Sequence, residues 1–100
     1  MKELIVLAVC NVYGITRDEL LLKCKESIYS ETRHVCYYVL FQVGYRNDTE
    51  NGRLLNCSRC NSIYGRNKIT SLVESKDISI LTHIRDIQEQ LAKHDIQFKL

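Results

Sequence analysis

The sequence predicts an all-α fold, a compact bundle of about five to six helices in one domain, closed by an amphipathic C-terminal helix. Three observations carry that prediction. Thr16 is followed three residues later by Glu19, the spacing of a capping box at a helix start. Ile80, Leu81, Ile84, Ile87 and Leu91 recur at the three-four spacing of one helical face. The chain has no proline and only four glycines, so nothing marks a linker, and its 100 residues suit a single core.

Composition bounds the class. Apolar residues make up 45% and charged residues 26% of the chain, an ordinary globular balance well outside the disordered range. The first apolar run, Leu4 to Cys10, is too short to span a membrane and lacks the basic flank and cleavage site of a secretory signal. A cytoplasmic location without membrane association is therefore expected. Five cysteines, Cys10, Cys24, Cys36, Cys57 and Cys60, are an odd number, and reduced, mostly buried thiols are expected of them.

The elements follow in order. Glu3 to Val12 and His34 to Val43 are rich in Val, Ile, Tyr and Phe, and local propensity alone would also allow buried strands there. The helix starts between them favour helices: the capping box opens a helix Arg17 to Lys25, and Ser30 with Glu31 marks a start before Arg33. His34 to Val43 is apolar almost all round, as the central helix of a bundle should be. Gly44 ends it, and Asn47 or Asp48 caps a short helix Thr49 to Leu55. Asn56 to Ser58 make a turn, and Ser58 caps a helix beginning near Arg59. That helix carries Ile63, Ile69, Leu72 and Val73 inward, weakened by Gly65 by roughly 1 kcal/mol. Ser75 or Asp77 caps the last helix, within residues 77 to 95, whose apolar stripe either covers the core or pairs two copies of the chain as a homodimer.

A short helix, a polar turn and a second helix over Asp48 to Val73 have the layout of a helix-turn-helix. The net charge is only +2, but within residues 46 to 73 Arg46, Arg53, Arg59, Arg66 and Lys68 face only Asp48 and Glu50, so the basic excess is local. A recognition helix enters the major groove N-terminal end first. Arg59 would then fork onto guanine and Asn61 onto adenine, with Arg53, Arg66 and Lys68 on phosphates. Double-stranded DNA is the partner this pattern points to.

The same stretch, ENGRLLNCSRCNSI at residues 50 to 63, resembles the signature turn of the DNA-binding C-terminal domain of the bacterial replication initiator DnaA, a relative of the Trp repressor helix-turn-helix. VCNVYGITRDELLLKCK resembles that family's opening helices and TRHVCYYVLFQV its central helix, so the likeness covers about residues 9 to 70. The resemblance implies DNA contacts from the basic loop residues Lys23 and Lys25, the latter in the minor groove. It implies further contacts from Arg33 and His34 at the central helix and from Ser58, Arg59, Cys60, Asn61 and Ser62 in the signature turn. Arg59 stands where the family has aspartate and Cys60 where it has histidine, so the implied activity is duplex binding without the initiator's own sequence preference. No Gly-x-x-x-x-Gly-Lys-Ser/Thr loop occurs, so no nucleotide is expected.

Other chemistry has little to build on. Cys57 and Cys60 form a lone C-x-x-C, and even with Cys36 and His34 they have no second pair at zinc spacing. His34, His83 and His94 belong to no recognisable catalytic motif, and the six tyrosines lack the partner motif of a recombinase. No cofactor, no metal and no enzymatic activity are expected. The competing function is a protein-interaction module that keeps the fold and uses the C-terminal helix as its contact surface.

Overall fold

The computed structural model describes residues 1–22 and 27–100 of the chain. Among these it contains six helices and no strand: α1 (Lys2–Tyr13), α2 (Arg17–Leu21), α3 (Ser27–Val43), α4 (Asp48–Leu54), α5 (Arg59–Glu74) and α6 (Ile78–Ala92). The all-α bundle expected from the sequence is the fold. None of these helices is long and apolar enough to cross a membrane.

α3 is the axis of the bundle. Its residues Val35 to Leu40 are six consecutive buried positions, because α1 and α5 pack along it from different sides, with α2 and α4 touching it near its ends. α1 adds Ile5, Val6, Val9 and Cys10 to the same core. Both segments with strand-like propensity are thus helices, since burial on several faces rewards Val, Ile and Tyr whatever the backbone. α6 lies on α1 and turns Ile80, Ile84, Ile87 and Leu91 inward, with Ile96 following from the C-terminal segment. Leu81 is half-buried at the edge of that stripe.

The helix starts are largely those the sequence predicts. Thr16 accepts from the Glu19 N–H at 3.1 Å while Glu19 accepts from the Thr16 N–H at 3.0 Å, the complete capping box. Asn47, not Asp48, caps α4, accepting from the Glu50 N–H at 3.1 Å. Asp77, not Ser75, caps α6. Two expectations need correction. α3 begins at Ser27, so Ser30 lies inside its first turn instead of opening it. The helix expected to run from Arg17 to Lys25 ends at Leu21, with Leu22 already extended, and Lys23 and Lys25 lie outside the described residues. Arg33 accounts for the end: its guanidinium donates to the Leu20 and Leu22 carbonyls at 3.2 and 3.0 Å, satisfying oxygens that another turn of helix would otherwise use.

Candidate nucleic-acid interface

The unit α4, turn, α5 is built on three small decisions of the sequence. Gly52 sits beneath the turn, and a Cβ there would collide with the Ser58 carbonyl, so only glycine lets the chain fold back this closely. The Cys57 N–H closes onto the Gly52 carbonyl at 2.8 Å. Asn56 takes the left-handed conformation, φ 57°, which asparagine tolerates better than most side chains. Asn51, fully buried, ties the base of α4 to the preceding loop by donating to the Tyr45 carbonyl at 2.8 Å. The result is a tight helix-turn-helix whose second helix starts on an extended Ser58. Ser58 differs from expectation: its hydroxyl makes no bond to the backbone of α5 and accepts instead from the Asn61 amide at 3.3 Å.

A cleft of about 690 Å³ opens between this turn, the end of α2 and the first half of α3. Its walls bring together Arg33, His34, Arg53, Ser58 and Asn61, residues drawn from separate stretches of the sequence, and none of the described residues lining it is a carboxylate. Arg53 is exposed at its rim. Arg33 is anchored in its wall by the bonds to the end of α2 and by Ser30. His34 is half-buried, its ring edge-on to Tyr64 at 5.5 Å between centroids. Burial, then the charges of Lys68 and Arg33, push its imidazole down to about 4, so it is a neutral hydrogen-bonding group near pH 7 and not a cation.

The residues expected on α5 divide into exposed ones and ones bonded to α4. Arg59, Cys60 and Asn61 are exposed in the first turn, and Lys68 is exposed further along, 6.0 Å above the Tyr64 ring. Ser62 and Arg66, on the same side of the helix as Arg59, are bound to α4 instead. Ser62 is fully buried and donates to Asp48 at 2.8 Å. Arg66 grips the same carboxylate with Nε at 3.0 Å and Nη2 at 3.1 Å and lies 4.2 Å over the Phe41 ring. These bonds hold the Asp48 carboxyl below the usual carboxylate range, Arg66 acting most strongly. Ser62 and Arg66 therefore join α4 to α5, their polar groups already bonded to Asp48. Ile63, expected in the core, is half-exposed on the outer face instead.

That outer face holds what the sequence reading missed. Cys60, Ile63, Tyr64, Asn67, Lys68 and Ser71 share a shallow groove of about 640 Å³, with Tyr64 60% exposed. The signal was present in the helical period: once Ser62, Gly65 and Ile69 are recognised as the buried line of α5, the opposite line is 60, 63, 64, 67 and 71. Among the described residues, no group of three or more His, Cys, Asp and Glu side chains could hold a metal ion. Compared with known proteins, the chain matches no family model, and no curated protein is significantly similar to it.

Proposed function

We propose that this chain is a non-catalytic module that binds double-stranded DNA through α5 and the cleft beside it, in the cytoplasm, as a regulator or replication accessory factor. The observation that carries the reading is the juxtaposition of an exposed first turn bearing Arg59 and Asn61 with a cleft that has the exposed Arg53 at its rim. A cationic edge of this kind attracts phosphates, and the protruding helix start suits the width of a major groove. The likeness of residues 50 to 63 to the initiator's DNA-binding turn supports the same reading. The competing role for α6 as a contact surface has less to draw on, because Ile80, Ile84, Ile87 and Leu91 are spent inside the monomer.

The test is retention of a mixed-sequence duplex at low salt by the wild-type chain and by an Arg53→Glu, Arg59→Glu variant. Both positions are exposed, so the fold should survive. Affinity should fall roughly tenfold or more in the variant, and the wild-type logarithmic salt slope should lie near about −4 for about four phosphate contacts. Equal retention by both proteins, or none by the wild type, would overturn the reading.

A further inference from the structure

The outer face of α5 is unusual for a surface that meets DNA: it is more apolar than charged, and one of its polar groups is held in place. Asn67 accepts a hydrogen bond at Oδ1 from Nη1 of Arg66 at 3.1 Å. That guanidinium cannot turn, because Asp48 holds two of its other nitrogens and Phe41 lies against its face. The Asn67 carboxamide is thereby fixed with its oxygen toward Arg66 and its NH2 group away from it, on an exposed position. Oδ1 retains a second lone pair.

An amide so oriented presents one donor and one acceptor side by side, the pattern that adenine complements in the major groove with N7 and its 6-amino group. Its neighbours along the groove, Ile63 and Tyr64, offer apolar surface with no carboxylate among the described groove-lining residues, which suits the 5-methyl group of thymine better than the polar edge of a G·C pair. Arg59 and Lys68 lie on either side of this patch in sequence and supply the charge that a phosphate backbone requires. We propose that this face reads an A·T base pair, with Asn67 on adenine and Ile63 with Tyr64 against the thymine methyl. The inference rests on the DNA-binding reading above and adds which base the helix selects. Arg66, through Asp48 and Phe41, is a positioning residue for Asn67: a side chain already held in its bound geometry loses less freedom on binding.

The experiment is a selection of duplexes from a random pool by the wild-type chain, followed by affinities for the selected duplex and its single-base variants. Wild type should enrich a site with one fixed A·T pair, and changing that pair to G·C should weaken binding about tenfold or more. Asn67→Ala, an exposed substitution, should bind both duplexes alike. Replacing the thymine by deoxyuridine should cost roughly fourfold, the worth of one buried methyl group. A selected motif whose base preferences are the same in Asn67→Ala overturns this inference and leaves DNA binding standing, as does retention of every duplex equally. Failure to retain any duplex overturns the DNA-binding reading itself.

Discussion

Asp48, the first residue of α4, and Arg66, in the middle of α5, form a two-pronged ion pair with contacts of 3.0 and 3.1 Å, and Ser62 adds a third bond to the same carboxylate. The two side chains are 13% and 22% exposed, so little water screens them. Their partnership spans eighteen positions of sequence and fixes the angle at which the second helix leaves the turn.

Removing one partner should be costly. Asp48→Ala leaves a guanidinium and a hydroxyl without their acceptor, and unfolding in urea should show a loss of about 3 kcal/mol. The Asp48 carboxyl sits below its unfolded value, so its contribution is complete above the ordinary carboxylate range and disappears as pH falls through the lowered folded value. Acid unfolding below about pH 4 should accordingly be less steep in Asp48→Asn than in wild type.

Gly65 should resist replacement by alanine although alanine is the better helix former. A Cβ there would lie 2.7 Å from the His34 ring and 2.9 Å from the Tyr37 ring, with the His34 backbone at 3.1 Å behind them. The propensity gain of about 1 kcal/mol is then outweighed by overpacking of roughly 1–3 kcal/mol. Gly65→Ala should lower the melting temperature, whereas Asn67→Ala on the open side of the same helix should leave it within a few degrees.

His34 predicts a second pH effect with its own window. Its folded value is lowered from 6.5 to about 4 by burial and by the facing charges of Lys68 and Arg33, so the unfolded chain binds the proton first. Stability through this group is complete above about pH 6.5, declines as pH falls toward 4, and is then exhausted. The imidazole resonance should titrate near 4, and a His34→Gln variant should lose this part of the pH dependence; a ring titrating at 6.5 would contradict the packing against Tyr64.

The stripe of α6 should behave as core and not as a subunit contact. Ile84 is fully buried, so Ile84→Ala should destabilise by about 2–4 kcal/mol. The melting temperature of wild type should not rise with protein concentration, as it would if that stripe paired two copies.

Local pattern made much of this architecture readable. The Thr16 and Glu19 box, the all-round apolar run of α3 and the three-four period of α6 each report an element from neighbouring residues alone. What was hidden is tertiary. Nothing near Arg66 in sequence announces Asp48, so a cation that joins two helices reads like a phosphate contact. Gly65 reads as a weak point because propensity ignores the neighbouring helix whose approach requires it. Ser30 reads as a helix start because a serine before acidic and basic residues has that signature, while α3 begins a turn earlier, where Tyr29 donates to Glu19 of α2. Within the proposed interface, residue types in the first turn were legible, but the capture of Ser62 and Arg66 by Asp48 needed the fold.

The close seat of α5 on α3 at Gly65 has a mechanical consequence. In the DNA complex proposed above, a helix seated this closely against the His34 and Tyr37 rings would keep its outline, and accommodation would fall to the nucleic acid. Duplexes whose steps bend or widen cheaply toward that outline should compete best, even at base pairs the side chains never touch.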